Sequence, residues 1–230
     1  HSLHAYFLLA GDIQIPIVYE VEKIRDGGSF STRRVVAKQN GIPIFFLSAS
    51  YQEKHQAGFE HAMRMPEVPA PENLKSDEEI IRLNEKYVPT SLAELITSRP
   101  FEFKIAEGFN LFDRSRKEAV RNVWFRAKQA VDAPEALHKQ MLTYVSDYNL
   151  LITATLPHTD GPYPKDVFMA SLDHAVWFHR EVNVNDWLLY AIDSPSASNS
   201  RGFTRGAIFN RSGELLASVA QEGLIRPNHT

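Results

Sequence analysis

The chain has 230 residues, a formal net charge of −3 and no cysteine, a size that suits one large domain or two small ones. The small negative charge argues against a nucleic-acid-binding protein, which would present a basic face. The lack of cysteine excludes disulfides, thiolate metal ligands and cysteine nucleophiles. Because no apolar run approaches the roughly 20 residues that cross a bilayer, we expect a globular protein with no membrane span and no nucleic-acid partner.

The first 52 residues have the composition of an antiparallel sheet. Val18–Lys23 and Ser31–Val36 are rich in β-branched side chains, and Asp26-Gly27-Gly28 and Asn40-Gly41 are strong hairpin signals. The sequence therefore predicts three or four strands in this part, at 3–8, 16–24, 29–38 and 42–52.

Residues 53–100 have a different character and are predicted to be a linker. They are charged and are interrupted by five prolines, which disfavour long regular elements. Ser76 followed by Glu79 forms a capping box, which predicts the start of a short helix that runs to about Lys86.

The remaining residues, 101–230, predict one long helix against a sheet. The helix is expected over 133–154 with Asp132 as its N-cap. Its apolar positions fall on one stripe, which is expected to face a core. Strands are expected near 101–107, 123–129, 167–179, 186–193, 201–210 and 214–225. A helix on an antiparallel sheet is an α+β arrangement.

A repeat relates the two ends of the chain. Ser2-Leu3 recurs as Ser171-Leu172, and the run that ends at Gln52 recurs as the run that ends at Gln221, each time 169 positions later. Self-similarity at a fixed offset indicates a duplicated unit. The offset places the counterpart of the long helix before residue 1. We therefore expect the first copy to lack its N-terminal strand and helix in this chain.

Candidate site residues are polar side chains at the edges of apolar faces. Asp147 lies on the flank of the predicted helix stripe, and Ser171 and Gln221 lie in apolar rows of two strands. The alternative is a solvated Asp147 and two core groups that bond to backbone. Asp173, expected on the strand face of Ser171, is the rival carboxylate. His174 and His179, five apart on one strand, should face opposite sides and cannot share a metal. We expect no cofactor and no metal.

The chain resembles the acyl-CoA thioesterase II family, the double hotdog thioesterases. The resemblance is carried by the following stretches: His1–Phe7, Ile17–Val21, Arg25–Val35, Leu172–Arg180 and Ala217–Gly223. It implies an α+β double hotdog, with two tandem antiparallel sheets each wrapped on a long helix. The halves would be 1–52 and 101–230, and the second would hold the catalytic residues.

The resemblance also implies the chemistry. In that family a water is activated by an Asp, a Ser or Thr and a Gln, and the matching positions are Asp147, Ser171 and Gln221. The implied substrate is a fatty acyl-CoA and the implied assembly is a homo-oligomer, a dimer or tetramer. The expected location is cytoplasmic, or peroxisomal in a eukaryote. A non-catalytic acyl-CoA-binding module and a hotdog enoyl-CoA hydratase are the alternatives; the absence of a histidine beside Asp147 in the sequence disfavours the hydratase.

Overall fold

The computed structural model of the chain describes residues 1–53, 58–161 and 166–228. Eleven strands and four α-helices lie in these residues, which confirms the α+β class. In chain order they are β1 Ser2–Phe7, β2 Val18–Asp26, β3 Phe30–Gln39, β4 Ile42–Gln52, α1 Asp77–Leu83, α2 Thr90–Thr97, β5 Phe101–Ile105, β6 Val120–Ala127, α3 Glu135–Ser146, α4 Leu150–Thr155, β7 Val167–Ser171, β8 Asp173–Phe178, β9 Leu188–Ser198, β10 Arg201–Phe209 and β11 Leu215–Pro227.

All the strands belong to one antiparallel sheet, ordered β2-β3-β4-β1-β8-β11-β10-β9-β6-β5, with β7 paired to β11. The strand β1 pairs with β4 on one side and β8 on the other, so that Ser2 lies opposite both Ser50 and Trp177. The strands of the two repeats therefore continue into each other as a single sheet.

The helical segment is broken where the sequence predicts one helix over 133–154. Pro134, not Asp132, is the N-cap of α3, and α3 ends at Ser146. Asn149 then takes a left-handed conformation, with φ of 68°, before α4 begins at Leu150. Asparagine is one of the few residues that adopts this conformation readily. The prediction of a continuous helix was wrong because the apolar periodicity runs on through a turn.

The buried face of α3 also differs from the predicted stripe. Leu137 and Tyr144, two members of the predicted stripe, are exposed, whereas Val145, a third member, is buried. Leu142 and the polar His138 and Ser146, which were not in the stripe, are buried with it. Hydrophobic periodicity could not find this face because two of its members are polar. These polar side chains must be hydrogen-bonded to be buried at acceptable cost, and Ser146 belongs to the candidate site described below.

A bulge separates β7 from β8. Ser171 pairs with Gly223 and Ala175 pairs with Ala220, so three residues, 172–174, lie opposite two residues of β11. An extra residue of this kind shifts the alternation of side chains. The core face therefore passes from Ser171 to His174, and the prediction that Asp173 shares the face of Ser171 was wrong.

The segment before β5 packs closely on the second half of the sheet. The predicted capping box is confirmed: Ser76 Oγ accepts from Glu79 N–H, and the Glu79 carboxylate accepts from Ser76 N–H. The indole N–H of Trp124 donates to the Pro69 carbonyl at 2.9 Å. Met65, Val68 and Leu74 pack against the cluster formed around Trp124 and Trp187. This segment covers the sheet face opposite α3, since Trp124 alternates with the core residues Val123 and Phe125.

The core face of the sheet continues into the first half, where it becomes exposed. Cross-strand partners lead from His174 to Ala5, Leu47, Val35 and Val21. Ala5 is buried, whereas Val21 is 63% exposed. Across the described residues, no helix is both long and apolar enough to cross a bilayer.

Candidate active site

The three candidate residues come from three different elements of the fold. Asp147 is the first residue after α3, Ser171 is the last residue of β7, and Gln221 is inside β11. All three line one cavity of about 230 Å³. The rest of its lining comes from the turn and α4 and from β7, and consists of Asn149, Leu151, Ile152, Met169 and Ala170.

Two glycines allow α4 to lie directly on the sheet beside this cavity. A Cβ on Gly223 would come 2.6 Å from the methyl groups of Leu151, and a Cβ on Gly202 would come 2.6 Å from Ala154 Cβ. Gly223 lies opposite Ser171 in the β7–β11 pairing. The glycines therefore set the distance between α4 and the strands, and with it the wall of the cavity.

Gln221 and Ser171 are in direct contact. The amide Nε2 of Gln221 donates to Ser171 Oγ at 2.7 Å. Gln221 is only 1% exposed, so its amide is shielded from water and its direction is fixed by its partners. A hydroxyl that accepts from Gln221 keeps its own proton for another acceptor. Ser171 lines the same cavity as Asp147.

Asp147 is exposed, which agrees with the alternative of a solvated side chain. The negative charge of Asp147 nevertheless affects a buried residue of the core, Tyr190. Burial first, and the negative charge of Asp147 second, raise the pKa of Tyr190. Tyr190 therefore stays a hydrogen-bond donor, and its hydroxyl donates to the Ser146 carbonyl at 2.8 Å. This bond ties β9 to the last turn of α3, directly before Asp147.

Two further polar residues join the site from the core side, and sequence reasoning missed both. His174 Nδ1 lies 2.6 Å from Gln221 Oε1, and His174 Nε2 lies 2.8 Å from Ser146 Oγ. His174 is 4% exposed and Ser146 is fully buried. The available signal was the position of His174 beside Ser171-Leu172 in the repeat, but a straight strand placed it on the wrong face.

The rival carboxylate lies elsewhere. Asp173 Oδ1 accepts from the backbone N–H of Glu222 at 2.7 Å. It does not line the cavity of Asp147, Ser171 and Gln221. This bond joins the start of β8 to β11 at the bulge, so the structure gives Asp173 a local role in β8–β11 pairing.

A larger cavity of about 800 Å³ lies along the same elements. Thr155 at the end of α4, Val167 at the start of β7 and Ile225 in β11 contribute to its wall. Two cations, Arg114 and Arg201, and two carboxylates, Asp160 and Asp166, also line it. Arg201 Nε donates to Glu222 at 2.8 Å. The cavity therefore combines an apolar wall with two guanidinium groups, whose positive charge is balanced by two carboxylates of the same lining.

Sequence comparisons match both halves of the chain to one family. The profile of the acyl-CoA thioesterase N-terminal domain matches residues 1–52, and the acyl-CoA thioesterase profile matches residues 93–224. The chain is 38% identical over 227 residues to acyl-CoA thioesterase 2 of Haemophilus influenzae, which covers 98% of this chain and 79% of that protein. The chain belongs to the acyl-CoA thioesterase family.

Solved structures support this membership and the fold. An acyl-CoA thioesterase II, TesB2, from Mycobacterium marinum is 39% identical with a TM-score of 0.79, covering 99% of this chain and 80% of that one. A hot dog fold protein from Alicyclobacillus acidocaldarius, 15% identical, has a TM-score of 0.77 over 98% of this chain and 78% of its own. The expected double hotdog fold is thus confirmed, but its strands form one continuous sheet and not the two tandem sheets that were predicted.

Proposed function

We propose that this protein hydrolyses fatty acyl-CoA thioesters to a free fatty acid and coenzyme A. Membership of the acyl-CoA thioesterase family supports the reaction. The cavity that Asp147, Ser171 and Gln221 share supports these three residues as the site of hydrolysis. Within that cavity the carboxylate accompanies a hydroxyl that is already hydrogen-bonded to an amide.

In the proposed mechanism, a water is held beside the thioester carbonyl. It donates one proton to the Asp147 carboxylate, which acts as general base, and it accepts a hydrogen bond from the Ser171 hydroxyl. Gln221 holds that hydroxyl in place. Fixing the water near the carbonyl removes part of the entropic barrier to attack.

The proposed reaction needs no covalent enzyme intermediate. The water oxygen forms a bond to the carbonyl carbon, and its proton moves to Asp147. The tetrahedral intermediate then collapses and the carbon–sulfur bond breaks, with coenzyme A leaving as a thiolate. The proton on Asp147 passes to the thiolate or to solvent, which restores the carboxylate.

The larger cavity is proposed to hold the rest of the substrate. Its wall includes apolar side chains such as Ile225, which suit an acyl chain. The guanidinium groups of Arg114 and Arg201 can bind phosphates, in competition with Asp160 and Asp166 of the same wall. We further propose that the protein acts in the cytoplasm, or in peroxisomes if eukaryotic, and that it is a homo-oligomer, a dimer or tetramer. The division into halves at 1–52 and 101–230 also remains a proposal.

The reaction is tested by following thiol release from acyl-CoA with a thiol reagent over a series of chain lengths. We expect release of one thiol for each fatty acid formed, and no hydrated acyl-CoA product from an enoyl-CoA substrate. Binding of acyl-CoA without thiol release would instead indicate a non-catalytic module, and hydration of an enoyl-CoA would indicate a hydratase. Either result would contradict the proposal.

A further inference from the structure

A chain of buried hydrogen bonds runs from the end of α3 to the candidate site. Its members are Ser146, His174, Gln221 and Ser171, joined by contacts of 2.8, 2.6 and 2.7 Å. They come from four different elements: α3, β8, β11 and β7. The middle pair is shielded from solvent, since His174 is 4% and Gln221 is 1% exposed. Buried amide and imidazole groups of this kind take their orientation from one another.

The position of the protons follows from the donors and acceptors. Gln221 Oε1 can only accept, so His174 Nδ1 must carry a proton. In a neutral ring, Nε2 then accepts the single proton of the Ser146 hydroxyl. In a doubly protonated ring, Nε2 donates to Ser146, whose proton goes to the Thr143 carbonyl at 2.8 Å. Nδ1 is a donor in both cases, and the Gln221 amide has the same direction.

The other neutral tautomer has a different consequence. With the proton on Nε2, Nδ1 becomes an acceptor, and the Gln221 amide must turn over to donate to it. Gln221 Oε1 would then face Ser171, and the Ser171 hydroxyl would have to donate to that oxygen. The proton of Ser171 would no longer be available to a water in the cavity that Asp147 lines.

We propose that His174 is a positioning residue, whose Nδ1–H fixes the direction of the Gln221 amide and keeps the Ser171 proton free for the attacking water. Ser146 supports the far side of the ring. This inference rests on the proposed hydrolytic role of Ser171 and Gln221. It assigns to His174 no contact with the substrate.

The tautomer is measured directly by nitrogen-15 NMR of the histidine rings in the full chain, with His174→Asn used to assign the His174 signals. We expect a ring with a proton on Nδ1. A neutral ring protonated on Nε2 would overturn the proposal. This measurement requires no catalysis, so it stands or fails independently of the proposed reaction.

Kinetics of three variants separate positioning from packing. An asparagine side chain places an amide N–H near the position of Nδ1, whereas glutamine reaches the position of Nε2. We expect His174→Asn to keep kcat within about threefold, and His174→Gln and His174→Leu to lose about 10- to 100-fold in kcat with little change in KM, as a misplaced group typically does. If kcat of the three variants falls in proportion to their melting temperatures, whether or not a donor remains at the position of Nδ1, the role of His174 is structural and the proposal fails.

His138 provides the matched control. It is also a buried histidine of the same core, 8% exposed, and its Nδ1 accepts from the Val184 backbone N–H at 3.3 Å. We expect His138→Gln, which moves the acceptor away from Val184 N–H, to lower the melting temperature while kcat remains within about twofold of the parent. An equal fall in kcat for His138→Gln and His174→Gln would overturn the proposal. If the parent chain itself showed no thiol release from acyl-CoA, the proposed function would be refuted instead.

Discussion

Asp147→Asn is expected to lower kcat/KM for acyl-CoA by about 10²–10⁴-fold, the usual contribution of a general base. The amide has nearly the shape of the carboxylate but cannot accept the proton of the water. Asp147 is exposed at the end of α3, so the substitution should leave the fold intact. The measurement is steady-state thiol release, with circular dichroism to verify folding.

Asp173→Asn is the matched control for this substitution. Asp173 is the neighbouring carboxylate of the β7–β8 bulge, and its Oδ1 accepts from Glu222 N–H. An asparagine keeps an oxygen that can accept this bond, so we expect a loss of less than about tenfold, well below the general-base range. If Asp173→Asn proved as damaging as Asp147→Asn, or Asp147→Asn retained full activity, the assignment of the base would be wrong.

Gln221→Met is expected to reduce both activity and stability. Methionine has a similar length but cannot hold the Ser171 hydroxyl, and misplacement of a reacting group typically costs about 10²-fold in rate. It also leaves His174 Nδ1 without its acceptor, and an unsatisfied buried polar group costs about 1–3 kcal/mol of unfolding free energy. The measurements are kcat for thiol release and denaturant unfolding.

Gln39→Met separates the two effects. Gln39 is another buried glutamine, 7% exposed, and its amide donates to the carbonyls of Asp12 and Ile15 in the first half of the sheet. We expect Gln39→Met to lose a comparable amount of stability with kcat unchanged. A parallel loss of kcat in both variants would show that Gln221 acts through stability alone.

Much of the architecture was predictable because it follows from local signals. The β-branched runs and glycine turns of the first half predicted β1 to β4, and their observed bounds differ from the expected ones by at most two residues. The capping box at Ser76 likewise predicted the start of α1, because both of its hydrogen bonds join residues within one stretch of four. The helix α2, which has no side-chain cap and starts after Pro89, carried no comparable signal.

The errors lie around the candidate site. The turn at Asn149 interrupts an apolar pattern that continues into α4, so periodicity alone joined the two helices. The extra residue at 172–174 is set by pairing with β11, which is a contact between distant parts of the chain. His174 therefore lies on the core face because of this long-range strand pairing. The regular alternation of side chains along a strand predicts the opposite face.

The three candidate residues came from their positions at the edges of apolar faces, and the family resemblance implied their roles. The structure places all three around one cavity. Their residue types alone predicted little, because an exposed Asp and two polar core groups have ordinary explanations. What the structure adds is the direction of the network, from Ser146 through His174 and Gln221 to Ser171.

The central claim is that water attacks the thioester directly, with Asp147 as base and no acyl-enzyme. The most direct test is intact-mass spectrometry of the enzyme quenched during turnover of a long-chain acyl-CoA, followed by peptide mapping of the segment that contains Ser171. The account predicts the unmodified mass at every time point, in the parent chain and in Asp147→Asn. An acyl group trapped on Ser171 at a kinetically competent rate would contradict it.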